Sequence, residues 1–357
     1  MKQYYFDLST KIYYGTEIIK NVIESETDVL KGTILLVSTG GSLKKLGYIE
    51  ELISYLKTCE KCKNIIVFDK ISQNPKLEEV KAGICIGKEN NIDVVIGFGG
   101  GSAIDAAKAI AVGIPIEEDI EKYLLEGKEP GKETLPIIAI PTTAGTGSEL
   151  SQGAILSSPK HHFKGGIRGK YILPKIAIVD SKYTWTIPRK IAMETGFDVL
   201  AHAIETYMAE KATPFSEMLS EKAICLAAEN LTKIFQNEED YKAREQMCFA
   251  SMLMGMNLAT VGTCLPHRMQ YPIGAETDTS HGAGLLAIYP SWIAHEQEVN
   301  PQKVDQVMKW LKLGKCDSSL EVKVKFTDFL KQLECNYQLI DLGIISKGDD
   351  ENYYKLW

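Results

Sequence analysis

Two stretches far apart in the chain place metal-binding side chains at short, regular spacing. The first reads Gly196-Phe197-Asp198-Val199-Leu200-Ala201-His202-Ala203-Ile204-Glu205-Thr206-Tyr207, and the second runs from Pro266-His267 to Ser280-His281-Gly282. Asp198 and His202 stand four positions apart with no helix breaker between them, so on a helix they project from one face. One carboxylate and three imidazoles suit a divalent first-row ion, Fe²⁺ or Zn²⁺, and are too rich in nitrogen for Ca²⁺ or Mg²⁺. Three of the six histidines of the chain fall in this set, which is why these positions stand out. Taken alone, a D-x-x-x-H pair on a helix reads first as a hydrogen-bonded polar pair. What favours ligation lies in the N-terminal half.

That half alternates short apolar runs with helical patterns. Strands are expected at Thr33–Ser38, Asn64–Phe68, Asp93–Phe98, Pro136–Pro141 and Ile176–Val179, with helices near Ile49–Leu56 and Lys76–Asn90 and after Ser102. Such alternation predicts a mainly parallel sheet covered on both faces, a Rossmann-like α/β nucleotide-binding domain. From about Ile187 the texture changes to long helical patterns, Ile191–Ala209, Phe215–Phe235 and Ala243–Leu258. The expected division is therefore an α/β domain over residues 1–184 and an all-α domain over 185–357, which carries both candidate metal stretches.

Bulk properties narrow the class. At 357 residues two domains are the natural expectation, and 45% apolar with 24% charged residues is ordinary globular composition. A net charge of -7 and a pI near 5.6 argue against a nucleic-acid surface. No apolar run reaches the roughly 20 residues that a membrane span needs. Met1–Asp7 has neither an apolar stretch nor a small-residue cleavage site, so no secretory signal is expected and a cytoplasmic location is. Eight cysteines, several in apolar settings such as Ile84-Cys85-Ile86 and Ile224-Cys225-Leu226, read as reduced and buried. Cys59-Glu60-Lys61-Cys62 has C-x-x-C spacing, but no second pair completes a zinc site.

Two loops could hold a nucleotide. Gly99-Gly100-Gly101-Ser102 joins a strand to the helix carrying Asp105 and Lys108. Glycines there allow close backbone approach, and the helix N-terminus offers free N–H donors to a phosphate; a plain tight turn has the same composition. Pro141-Thr142-Thr143-Ala144-Gly145-Thr146-Gly147-Ser148-Glu149 follows the next strand and offers hydroxyls and amides at the sheet edge where open α/β sheets bind nucleotides.

Together these motifs resemble the iron-containing (group III) alcohol dehydrogenases in order and spacing, from Lys11-Ile12-Tyr13-Tyr14-Gly15 to about residue 295. The likeness fades over the final sixty residues, and the chain ends sooner than the family pattern. The resemblance implies the dehydroquinate synthase-like fold of that family, with a metal ion in a cleft between an α/β and a helical domain. It implies that Asp198, His202, His267 and His281 are the metal ligands and that the chain is an alcohol dehydrogenase or aldehyde reductase. Gly99, Gly100, Gly101, Ser102 and Asp105 would lie at the pyrophosphate turn, Thr142, Thr143, Thr146 and Ser148 along the cofactor cleft, and Lys164 near the nicotinamide ribose.

The turn Ser38-Thr39-Gly40-Gly41-Ser42-Leu43-Lys44-Lys45 lacks the acidic residue that an NAD site places on the ribose 2′-hydroxyl. It resembles the NADP-preferring branch, with Thr39, Gly40 and Ser42 beside the 2′-phosphate, so NADP(H) is favoured over NAD(H). The family's His-Gly-Met-x-His appears as His267-Arg268-Met269-Gln270-Tyr271, so Tyr271 replaces the histidine thought to relay the proton. A phenol with an ordinary pKa of about 10 is a poorer shuttle near neutral pH, and water is the competing carrier. Arg268, and Arg168 beside Lys164, suggest a polar or anionic aldehyde, such as a phosphonate or carboxylate semialdehyde. A dehydroquinate synthase-like or glycerol-1-phosphate dehydrogenase-like enzyme, or an inactive family member, is the alternative; a homodimer is the default assembly.

Overall fold

In the computed structural model, which describes residues 4–344, the chain divides into two compact units, Phe6–Thr186 and a second that begins at Ile187. The first unit holds a six-stranded sheet and a hairpin. Its strands are β1 (Lys11–Gly15), β2 (Gly32–Val37), β3 (Cys62–Phe68), β4 (Val94–Gly99), β5 (Ile137–Pro141), β6 (Gly153–Ser158), β7 (Phe163–Arg168) and β8 (Ile176–Asp180). Its helices are α1 (Ile19–Ser25), α2 (Gly41–Lys45), α3 (Tyr48–Leu56), α4 (Leu77–Glu89), α5 (Gly101–Gly113) and α6 (Glu121–Leu125).

The sheet order is β1-β8-β5-β4-β2-β3 and every pairing within it is parallel. Leu35 and Val95 belong to the core on one face of this sheet, and Leu36 and Ile96 to the core on the other. Burial on both faces explains why these strands are unbroken apolar runs rather than alternating ones. From β2 the chain moves to β3 on one side and then crosses to β4 on the other. A crevice for a ligand therefore opens beyond the carboxyl ends of β2 and β4, where strand order reverses.

Two elements have weak sequence signals. β1 pairs with β8 at the sheet edge, and β6 and β7 form an antiparallel hairpin outside the sheet. Gly165 and Gly166 interrupt β7, so period-2 apolar alternation is lost there.

The second unit is helical: α7 (Arg189–Met208), α8 (Pro214–Gln236), α9 (Tyr241–Leu258), α10 (Leu265–Thr277), α11 (His281–Val299), α12 (Pro301–Trp310) and α13 (Ser319–Gln332). Residues Gly196–Thr206 of α7 are buried on every face, which makes it the central helix of this unit. No helix among the described residues is long and apolar enough to cross a membrane.

One expectation about the cysteines is corrected. All eight are free thiols, but Cys85 and Cys225 are exposed. Both lie on helices, next to the buried Ile84 and Ile224, and one residue step turns a side chain by about 100° to another face.

Candidate active site

Asp198, His202 and Glu205 follow one another on α7 at i, i+4 and i+7, so three polar side chains share one face of a buried helix. His267 enters on the first turn of α10, where Pro266 needs no N–H partner. His281 is the first residue of α11, and the hydroxyl of Ser280 caps that helix by accepting from the Ala283 amide at 3.2 Å. Ser280 also donates to Glu194 of α7 at 2.6 Å. A Cβ at Gly282 would run into the Glu194 carbonyl oxygen, so glycine lets the start of α11 lie against α7.

The three imidazoles converge on one atom. Asp198 Oδ1 lies 3.6 Å from His202 Nε2, 3.3 Å from His267 Nε2 and 3.7 Å from His281 Nε2. The ligand atoms of Asp198, His267 and His281 all lie within 4.8 Å of one another; His202 joins them through Asp198 and by stacking on His267 with ring centroids 4.5 Å apart. Donors bound tetrahedrally at about 2.1 Å from an ion stand about 3.4 Å apart, so the spacing fits.

The chemistry of the donor set fits as well. Asp198 Oδ1 and His267 Nε2 are buried and make no hydrogen bond. Glu205 Oε1 stands 2.6 Å from His267 Nδ1, and an ionised carboxylate can only accept there, which places a proton on Nδ1. With neutral His267, the Nε2 lone pair then faces a carboxylate oxygen at 3.3 Å, an arrangement that a cation between them resolves. Without an ion the protons must serve. Burial opposes the His267 cation, but Glu205 and Asp198 outweigh it and push its pKa up to about 10. Burial likewise opposes ionised Asp198, yet His202, His281 and His267 hold its carboxyl well below the usual carboxylate range.

Two residues of this constellation are missing from the motif reading as functional groups. Glu205 is fully buried and also accepts from the Cys264 amide at 2.7 Å, tying α7 to the start of α10. Gln270, also fully buried, holds His281 through a hydrogen bond between Oε1 and Nδ1. Their spacing was the available signal: Glu205 lies seven residues after Asp198, and Gln270 three after His267, each on the ligand's own helix face. Tyr271 is half-buried on α10, and its ring lies 5.9 Å from the exposed Arg268 guanidinium. Arg168, at the end of β7, is exposed too.

In the α/β unit the structure brings three loops together beyond β2, β4 and β5. Gly100 caps α5 without a side-chain partner, leaving the helix's first amides open to an anion. A Cβ on Gly101 would meet Thr146 Cγ2 at 2.6 Å, and one on Gly100 would reach Thr143 Oγ1 at 3.3 Å. The Thr142 amide donates to the carbonyl of Gly99 at 2.9 Å. Gly40 has φ +65°, and a Cβ there would stand 2.5 Å from the Asp69 carbonyl oxygen. Thr39 is half-buried and Ser42 exposed at the start of α2. Lys44 is paired with Asp69 at 3.0 Å.

Asp105 and Ser148 hydrogen-bond each other below these loops, and Asp105 also accepts from the Ile155 amide at 2.9 Å. Lys108, fully buried on α5, donates to Ser151 O at 2.9 Å, Gly153 O at 2.8 Å and Ser148 Oγ at 3.3 Å. Burial lowers its pKa to about 8 against the opposing pull of Asp105 and Glu149. Lys164, buried on β7, donates to Asn74 Oδ1 at 2.8 Å.

Comparison with known proteins places this arrangement. The sequence model of iron-containing alcohol dehydrogenases matches residues 9–181, and that of the C-terminal region of the Fe-containing alcohol dehydrogenase family matches 192–353. The likeness therefore continues well past residue 295, where the recognisable motifs end. The chain is 32% identical over 306 residues to NADH-dependent butanol dehydrogenase A of Clostridium acetobutylicum, covering 83% of this chain and 76% of that protein. Among solved structures, an archaeal halo-thermophilic alcohol dehydrogenase from a Red Sea brine pool superposes with a TM-score of 0.90 at 28% identity, covering 97% of this chain and 90% of that one. Sulfoacetaldehyde reductase from Bifidobacterium kashiwanohense, solved with NAD⁺, superposes with a TM-score of 0.86 at 26% identity, covering 100% of this chain and 92% of its own. Long matches to both family regions, with the same architecture, identify the chain as a member of the iron-containing alcohol dehydrogenase family, an enzyme with a Rossmann-like N-terminal domain and an all-α C-terminal domain.

Proposed function

We propose that the protein is an NADP(H)-dependent aldehyde reductase and alcohol dehydrogenase in which Asp198, His202, His267 and His281 hold one Fe²⁺ ion, with Zn²⁺ as the competing occupant. The observation that carries this reading is the buried Asp198 Oδ1, which makes no hydrogen bond and has three imidazole Nε2 atoms within 3.7 Å. A divalent ion there supplies a Lewis acid that polarises an aldehyde carbonyl and lowers the pKa of an alcohol. The residues do the rest. Glu205 and Gln270 orient His267 and His281, and the backbone at Gly100 and Gly101 cradles the pyrophosphate beside Thr142, Thr143 and Thr146. Hydride transfer demands a carbonyl carbon about 3–3.5 Å from the nicotinamide ring.

The preference for NADP(H) rests on the β2–α2 turn. Thr39, Gly40 and Ser42 carry no carboxylate, and Lys44 neutralises Asp69, the acid nearest Gly40. Lys45, the last residue of α2, then supplies positive charge for a 2′-phosphate. Initial rates of aldehyde reduction with NADPH and NADH test this. We expect kcat/KM for NADPH to be at least tenfold the value for NADH; equal values or a preference for NADH would overturn the cofactor assignment. The finer reading, an anionic aldehyde, rests on Arg268, which is exposed and follows a proposed ligand on α10. In the same assay, butyraldehyde turned over faster than phosphonoacetaldehyde or succinic semialdehyde would remove that reading and leave the dehydrogenase intact.

A further inference from the structure

Of the three imidazoles around Asp198, the two later in the chain are held unequally. The Nδ1 atom of His267 faces a carboxylate, Glu205, and its side chain is 4% exposed. The Nδ1 atom of His281 faces a neutral amide, Gln270, and its side chain is 26% exposed. Both acceptor residues, Glu205 and Gln270, are completely buried. A carboxylate partner makes an imidazole a stronger donor through its far nitrogen than an amide partner does, because negative charge at Nδ1–H raises the basicity of Nε2. Gln270 also packs against the start of α11: a Cβ on Gly284 would lie 2.9 Å from Gln270 Cγ. Glycine at 284 thus makes room for this amide one turn along from His281.

We propose that Gln270 is the positioning residue for His281, fixing the Nδ1–H tautomer so that Nε2 faces Asp198, and that its neutral amide makes His281 the weaker arm of the metal centre. The inference rests on the divalent-ion reading above. It assigns the affinity of the site to a residue that touches neither ion nor substrate. Replacing the amide by a carboxylate tightens the site, and removing the acceptor loosens it.

Zn²⁺ affinity of the purified protein, measured by chelator competition, tests this without any enzymatic readout. Gln270→Leu is expected to weaken Zn²⁺ binding about 10- to 100-fold, and Gln270→Glu to strengthen it about tenfold. Melting curves of the metal-free variants separate positioning from packing, since a purely structural Gln270 would lower the melting temperature and leave affinity unchanged. Combining Gln270→Leu with His281→Ala provides the decisive control. If Gln270 acts through His281, the double variant binds Zn²⁺ no more weakly than His281→Ala alone. Wild-type protein that binds Zn²⁺ tightly while Gln270→Leu matches it, or additive losses in the double variant, would overturn the role of Gln270 alone. Wild-type protein that binds no Zn²⁺ would overturn the metal-centre reading and this inference together.

Discussion

Asp198→Asn is expected to fold, to bind neither Fe²⁺ nor Zn²⁺ measurably, and to lose at least about 10³-fold in kcat/KM for aldehyde reduction, a penalty of about 4 kcal/mol on the barrier. The substitution keeps the side chain's volume and removes the only carboxylate among the four proposed ligands. The substitution should also cost stability in the metal-free protein. Asp198 is buried, and His202, His281 and His267 hold its carboxyl well below the usual carboxylate range, so its ionised form stabilises the fold at neutral pH. The metal-free variant should therefore melt lower than the metal-free wild type. Added Zn²⁺ should stabilise the wild type by about 4 kcal/mol at a thousand times its dissociation constant and leave Asp198→Asn unmoved. Scanning calorimetry with and without the ion reads both arms. A variant that still gains stability from Zn²⁺ would show that the ion binds elsewhere.

The second large effect lies in the nucleotide unit. Lys108→Met should destabilise the protein by about 3–5 kcal/mol, because it removes the buried cation whose charge offsets the half-buried Asp105 carboxylate. The lysine does more than balance charge. From the middle of α5 it donates to the carbonyls of Ser151 and Gly153 and to the Ser148 hydroxyl, joining the helix behind the glycine turn to the loop after β5. Losing it should also raise KM for NADPH. A double-mutant cycle separates the two contributions. Asp105→Asn should recover part of the lost stability in the Lys108→Met background, since it removes the orphaned charge, but should not recover the KM. Urea denaturation curves of the four proteins give the coupling. Full recovery of both quantities would mean that Lys108 only neutralises Asp105.

Much of this was legible from the sequence because the signals are strong where both faces of an element are buried. The strands β2, β4, β5 and β8 are runs of β-branched and aliphatic residues, and a parallel sheet packed on both sides demands them. The long helices α7, α8 and α9 carry apolar residues over several turns with no proline beyond the first. What escaped had a physical reason in each case. β1 is an edge strand whose sequence mixes Lys11, Tyr13 and Tyr14, and the β6–β7 hairpin contains two glycines in its second strand. Cys85 and Cys225 sit beside buried isoleucines but face outward, because neighbours in a helix do not share a face.

The site divides in the same way. The i, i+4 spacing of Asp198 and His202 puts them on one helix face, but by itself it reads first as a hydrogen-bonded polar pair. That His267 and His281 meet them depends on how α10 and α11 pack on α7, which the family resemblance supplied and spacing alone could not. Glu205 and Gln270 are the instructive omissions. Their importance comes not from ligation but from the nitrogen that each imidazole turns away from Asp198. Ser148 and Asp105 carry the converse lesson. A run of hydroxyls and a carboxylate beside a glycine turn suggests ligand contacts, yet these two are bonded to each other and brace the loop with Lys108.

Anomalous diffraction from crystals grown anaerobically with Fe²⁺, recorded on both sides of the iron absorption edge, bears on the metal centre most directly. The account predicts one strong peak enclosed by Asp198 Oδ1 and the Nε2 atoms of His202, His267 and His281. A map with no peak among those four atoms, or with its iron bound to other residues, would contradict it.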